Sequence, residues 1–223
     1  MVRRSGLFIA LTLFPTLLGF ANAAQDDPTK KAWNIINRSK TATSTYAVYY
    51  WNKISVPGQP ERENWSAEFN SENLHRVETS EERVIADCRN MTGTALNANT
   101  GKTFSGPKIA NVACGINTND LILRTESLGK ISTRFGVVDR VKVTDKSYIR
   151  TYDIAANGAI LWTKFEENGT DHRVVIITET IALLPSLPLK ESVFDAQSLK
   201  FSAVPDQYKA KPTLPPYELK ESK

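Results

Sequence analysis

Histidines, cysteines and clustered carboxylates are the side chains through which this sequence could do chemistry, and few of them stand at a spacing that chemistry requires. There are two histidines, His75 and His172, far apart in the chain. Neither belongs to an HExxH pair, which would set two imidazoles on one helix face to hold zinc, and no GxSxG elbow or glycine-rich phosphate loop occurs. Both histidines fall in strand-like stretches and read as structural or surface residues, so neither a metal nor a cofactor is expected. Glu78, Glu81 and Glu82 gather around a turn, where solvated carboxylates are far commoner than a glycosidase pair. Asp87 has no base beside it in sequence. The Asn-X-Ser/Thr triplets at Asn37, Asn64, Asn90 and Asn168 would accept glycans only on a eukaryotic secretory route. No enzymatic activity is expected.

The two cysteines, Cys88 and Cys114, read differently because of where the chain is sent. Arg3 and Arg4 precede an apolar run over residues 7–20 and the small-residue sequence Ala21-Asn22-Ala23, the three parts of a cleavable export signal. The run is interrupted by Pro15 and is shorter than the about 20 residues that span a bilayer. Residues 1–23 are therefore expected to be removed, leaving a soluble protein, periplasmic in a bacterium, with no stable membrane anchor. No cysteine stands at the cleavage point to take a lipid. An even pair of cysteines in an exported chain is expected to form one disulfide, and no CxxC motif suggests redox work.

Without Arg3 and Arg4, the formal net charge of +4 falls to about +2. Basic and acidic residues are interspersed along the chain, which argues against nucleic acid as a partner.

The mature chain reads as one β-rich domain over residues 24–208. Asp27-Pro28 offers an N-cap and a first-turn proline, and Ala32, Trp33 and Ile36 follow at helical spacing, predicting one N-terminal helix to about Lys40. Strands are predicted over residues 45–56, 63–69, 74–79, 83–86, 94–98, 102–104, 137–143, 147–154, 159–165 and 172–181, from β-branched and aromatic content between turn signals. Residues 119–135 read as helix or loop, and residues 191–194 as a helical turn. Residues 209–223, with Pro212, Pro215 and Pro216 among lysines and glutamates, read as a flexible proline-rich tail.

The aromatic hairpin at the start of the strands is the most suggestive feature. Tyr46, Val48 and Tyr50 share one face of a strand and Ala47, Tyr49 and Trp51 the other, while Trp65 and Phe69 stand on the neighbouring strand. With both faces apolar or amphipathic, the hairpin is expected to be covered on two sides. One cover is the helix; the other is ordinary core, a ligand cavity or a partner surface.

This order of elements, with Arg150-Thr151-Tyr152-Asp153-Ile154, the Asn157-Gly158 turn and Ile160-Leu161-Trp162, and with the proline-marked Leu184-Pro185 and Val193-Phe194 near the end, resembles the periplasmic lipoprotein carrier superfamily (LolA/LolB-like, including the RseB type of sensor). The resemblance implies a mainly β (α+β) fold: a curved, incompletely closed antiparallel β-barrel or sheet with an N-terminal helix and short covering helices. It also implies an apolar concave face that takes acyl chains. The segment from Cys88 to Gly115 departs from the standard carrier. The expectation that follows is a non-enzymatic periplasmic binder of a lipid or lipoprotein acyl chain, lined by Tyr46, Val48, Tyr50, Trp51, Trp65 and Phe69. Its rival is an envelope protein-interaction or sensing module without a cavity, partnered by a membrane protein.

Overall fold

The computed structural model describes residues 28–41, 44–116, 122–169 and 173–219. The export signal, Asp27 and His172 lie outside the described residues. In chain order the elements are α1 (Pro28–Lys40), β1 (Tyr46–Ser55), β2 (Arg62–Ser71), β3 (Leu74–Thr79), β4 (Glu82–Asp87), β5 (Thr92–Asn97), β6 (Thr103–Ser105), α2 (Pro107–Ala113), β7 (Ile122–Thr133), β8 (Gly136–Asp145), β9 (Tyr148–Ile154), β10 (Ile160–Glu167) and β11 (Val175–Pro185), followed by three 3-10 turns at Glu191–Phe194, Ala196–Lys200 and Asp206–Tyr208.

All strands join one 11-stranded antiparallel sheet in the order β6-β5-β4-β3-β2-β1-β11-β10-β9-β8-β7. The two meanders, β1 to β6 and β7 to β11, meet where β1 pairs with β11. The sheet does not close, because β6 and β7 are left as its two edges. The fold expected from the resemblance is therefore present. No helix among the described residues is long and apolar enough to cross a membrane.

Both helices lie on one face of the sheet. Ala32, Ile35 and Ile36 of α1 pack on Val141 and Val143 of β8 and Ile154 of β9. Ala110 and Ala113 of α2 pack on Val84 and Ala86 of β4 and Ala95 of β5. Two glycines let the helices sit this close. A Cβ on Gly93 would stand 2.8 Å from the Ala110 nitrogen, so α2 rests directly on β5. Gly115, at φ +73, brings the end of α2 against the end of α1, where a Cβ would meet the Ser39 carbonyl oxygen at 2.9 Å. The expected disulfide is formed: Cys88 and Cys114, with Cα atoms 5.5 Å apart, tie α2 to the end of β4.

Residues 119–135, expected as helix or loop, hold the edge strand β7 over Ile122–Thr133. Register shifts at Ile122/Arg124 and Ser127/Gly129 break the two-residue alternation that marks a strand. Helix α2 was not anticipated; at seven residues it is too short to show a helical period.

The segment expected as a tail makes contacts with the sheet. Residues 209–219 do not trail free but run back across the sheet as a strap. The backbone N–H of Arg134 donates to the Tyr217 carbonyl at 3.1 Å, that of Leu219 donates to the Ser132 carbonyl at 2.9 Å, and Tyr217 is 6% exposed. Composition pointed to a tail because most strap side chains stay exposed; what holds the segment is backbone pairing and a few anchors, which composition does not register.

Candidate functional site

The alternation on β1 divides the expected binding residues between two environments. Tyr46, Val48 and Tyr50 face the helices and are buried together with Ala159 and Leu161. They meet a buried polar cluster: the Tyr46 hydroxyl donates to Glu68 Oε1 at 2.7 Å, and the Tyr50 hydroxyl lies 2.7 Å from the Ile160 carbonyl oxygen and 3.2 Å from Glu68 Oε2. Burial, reinforced by the Glu68 charge, pushes both phenols well above the ordinary tyrosine range. His75 Nδ1 lies 3.8 Å from Glu68 Oε1, and burial lowers the imidazole below its usual range against the opposing pull of Glu68. On this face the protein's own side chains fill the hairpin's neighbourhood.

Phe69 faces the other way, beneath the 3-10 turns, with Ala47, Tyr49, Phe194 and Val204. Its ring meets that of Tyr49 edge-on at 5.9 Å, and Tyr49 stacks on Tyr208 at 4.0 Å. Next to this core is a fully buried ion pair. Arg76 Nε donates to Glu78 Oε1 at 2.6 Å, Arg76 Nη1 donates to the Val193 carbonyl at 2.6 Å, and Arg76 Nη2 donates to the Phe201 carbonyl at 2.7 Å. Glu78 in turn accepts from the Ala203 N–H at 2.8 Å and from Ser202 Oγ at 2.7 Å. Nearly every polar atom of the pair is thereby spent on holding the 3-10 turns to β3, a structural role.

Trp51 and Trp65 share that second face, and the strand registers set them in a transverse row. Trp65 pairs with Trp51, Trp51 with Glu179, Glu179 with Trp162, Trp162 with Asp153, and Asp153 with Arg140. Directly paired residues point to the same side of a sheet, so six adjacent strands present indole, indole, carboxylate, indole, carboxylate and guanidinium in line. Arg140 chelates Asp153 at 2.6 Å and 2.7 Å and lies 4.9 Å over the Trp162 ring. Those hydrogen bonds hold its guanidinium above the already high arginine range.

The strap runs along this row. Lys209 Nζ sits 5.8 Å over the Trp65 ring, and Lys211 pairs with Glu63 at 2.6 Å. Arg134 donates to the Pro215 carbonyl and pairs with Glu179 at 3.3 Å. Tyr217 packs near Phe135 with its phenol raised by burial and by the facing Asp153 carboxylate. Glu218 reaches Arg140 at 2.7 Å. Between strap and sheet lies a cleft of about 490 Å³, lined from the sheet by Trp51, Lys53, Trp162, Ile177 and Glu179 and from the strap by Lys211, Pro212, Leu214 and Pro215.

Of the six residues expected to line a ligand site, the structure brings only Trp51 to this cleft; Trp65 lies further along the same row. Sequence reasoning missed Trp162, Ile177, Glu179 and the strap. Trp162 carried a signal, since it alternates with Leu161 and Thr163 on a predicted strand; which face it takes depends on register, which no local pattern specifies.

No protein-family model and no curated protein matches the chain. Solved structures do. MucB, in its Pseudomonas aeruginosa complex with MucA, aligns at a TM-score of 0.50 and 10% identity over 74% of this chain and 61% of its own. The chain shares that fold. An uncharacterised conserved protein from Thermus thermophilus aligns equally well, at a TM-score of 0.50 and 11% identity over 74% of this chain and 92% of its own. A LolA superfamily protein from Nitrosomonas europaea aligns at a TM-score of 0.42 and 11% identity, over 75% of this chain and 99% of its own.

Proposed function

We propose that this is an exported, periplasmic, non-enzymatic binding protein that shelters an acyl chain, or a comparable apolar group of a lipid or lipoprotein, in the cleft between the indole row and the strap. The observation that carries the reading is the cleft of about 490 Å³ faced by Trp51, Trp162, Ile177 and Leu214. That volume falls among small-molecule sites, which run to about 300–1,000 Å³ and join apolar walls to a few polar groups. The driving force is removal of apolar surface from water, at about 25 cal/mol per Å². Lys53 and Lys211, which also line the cleft, suit an anionic end group.

The same reading moves the ligand away from Tyr46, Val48, Tyr50 and Phe69, which already touch one another's neighbours in closed core. It keeps Trp51 and adds Trp162 and Ile177.

The test is native mass spectrometry and organic extraction of the purified full-length protein, together with titration of a fluorescent fatty-acid probe. Saturable one-to-one probe binding, weakened when Trp51 and Trp162 are truncated, is expected. A protein that carries no lipid and does not bind the probe ends the proposal.

A further inference from the structure

The strap is bound to the sheet as a peptide is bound to a receptor. Its contacts divide into two kinds, those that any extended backbone could make and those that require particular side chains. To the first belong the Arg134 N–H donating to the Tyr217 carbonyl at 3.1 Å and the Leu219 N–H donating to the Ser132 carbonyl at 2.9 Å. These open an antiparallel bridge between Glu218 and Thr133 on the edge of β7 that faces away from β8. The Arg134 side chain adds a bond to the Pro215 carbonyl. To the second kind belong Tyr217, the one strap residue that is fully buried, and Glu218, paired with Arg140.

The receptor half of this interface does not need the strap in order to be arranged. Arg140 is fixed by Nε and Nη2 donating to Asp153 and by its position over the Trp162 ring, and the second hydrogen of Nη2 is left to meet a second carboxylate. Arg134 is held from below by the Thr180 carbonyl and by Glu179. The strap half is weakly committed by comparison: Pro215, Pro216, Glu218 and Leu219 are exposed, and Glu218 keeps 54% of its side chain in water. Its prolines favour an extended backbone that loses little freedom on docking.

We propose that this groove, formed by the β7–β8 hairpin, Arg134, Arg140 and the indole row, recognises in trans an unstructured segment of another polypeptide carrying a proline-proline-aromatic-acidic sequence, and that the strap is its intramolecular competitor. The partner chemistry is read from the occupant: prolines facing the indoles across the cleft, an aromatic ring in the Tyr217 position and a carboxylate on Arg140. Recognition by strand addition with side-chain pockets is an established mode for such segments. Tethering gives the strap a high effective concentration, so the full-length protein is self-inhibited toward partners. This goes beyond the acyl-chain reading and does not depend on it.

The test uses the full-length protein and a fluorescently labelled peptide with the sequence of residues 211–219. The variant Glu218→Lys turns the strap's own anchor against Arg140 without touching the groove. It is expected to bind the peptide at least tenfold more tightly than the wild type, and peptides with alanine for tyrosine or lysine for glutamate are expected to lose at least tenfold. In the wild type, hydrogen exchange gives a readout that involves no substitution. Excess peptide should speed exchange of the Leu219 amide, released with the strap, while the Arg134 amide stays protected by the incoming segment. Equal affinities for wild type and variant, equal binding of a scrambled peptide, or an unchanged Leu219 amide at high peptide would each overturn the proposal. A lipid-free protein that binds the peptide, or a probe-binding protein that does not, separates this outcome from that of the cleft.

Discussion

Trp51 and Trp162 lie two strands apart yet pair in register with the same residue, Glu179. At about 4.8 Å per strand their backbones stand roughly 9–10 Å apart across the sheet, one to each side of Glu179, whose carboxylate pairs with Arg134. Both indoles line the cleft beneath the strap. Trp51→Ala and Trp162→Ala are each expected to weaken fatty-acid probe binding about tenfold, which corresponds to about 1.4 kcal/mol. Trp65→Ala, outside the cleft walls, should stay within about twofold in the same titration.

The buried histidine makes stability depend on pH. His75 is held below the ordinary imidazole range, chiefly by burial, with Glu68, Tyr46 and Tyr50 as the titratable groups around it. Above about pH 6.5 both folded and unfolded chains keep the imidazole neutral; below it the unfolded chain takes up a proton that the folded chain resists. Stability is therefore full above that pH and falls as the pH drops, with a slope of up to about 1.4 kcal/mol per pH unit from this group. Urea midpoints of wild type and His75→Gln at pH 7.5 and 5.5 measure it. The wild type should lose more than the variant, and a gap that does not change with pH would refute the assignment.

Removing one partner of the buried Arg76–Glu78 pair should be costly, and removing both much less so. Glu78→Ala strands a guanidinium among backbone carbonyls and is expected to cost about 3–5 kcal/mol in equilibrium denaturation. Arg76→Met with Glu78→Leu, which restores apolar volume, should recover most of that loss. If the double variant is no better than the single one, the hydrogen bonds to the 3-10 turns matter more than the stranded charge.

The disulfide closes a loop with a sequence separation of 26. In the chain-entropy model that constraint is worth about 3.5 kcal/mol. Replacing Cys88 and Cys114 together by serine should lower the denaturation midpoint accordingly, and adding a reductant to the wild type should reproduce the drop.

The parts of this molecule written locally were legible in its sequence. The helix beginning at Pro28, the Tyr46–Phe69 hairpin, the turns at Gly58 and Gly158 and the pairing of Cys88 with Cys114 follow from residue type and short-range spacing. The antiparallel sheet followed from the turn signals between short strands, and its being open from the family resemblance. Relations across the sheet were hidden. Alternation shows that Tyr50 and Trp51 point to opposite sides, but not that Trp51 faces the cleft while Tyr50 enters the core; that is decided by the covers, one of which, α2, is a helix of two turns. The row from Trp65 to Arg140 depends on five separate registers. The contacts of the strap were hidden because they come from Ser132, Arg134 and Arg140, dozens of residues upstream.

An open sheet ends on two strands whose outer amides and carbonyls invite further pairing. Here one end is a strand of three residues, and the other is kinked by two bulges, studded with Arg124 and Lys130 and taken at its Thr133 end by Glu218. Neither margin offers a long straight template. A molecule built this way can remain unclosed without inviting neighbouring copies to extend its sheet into a fibre.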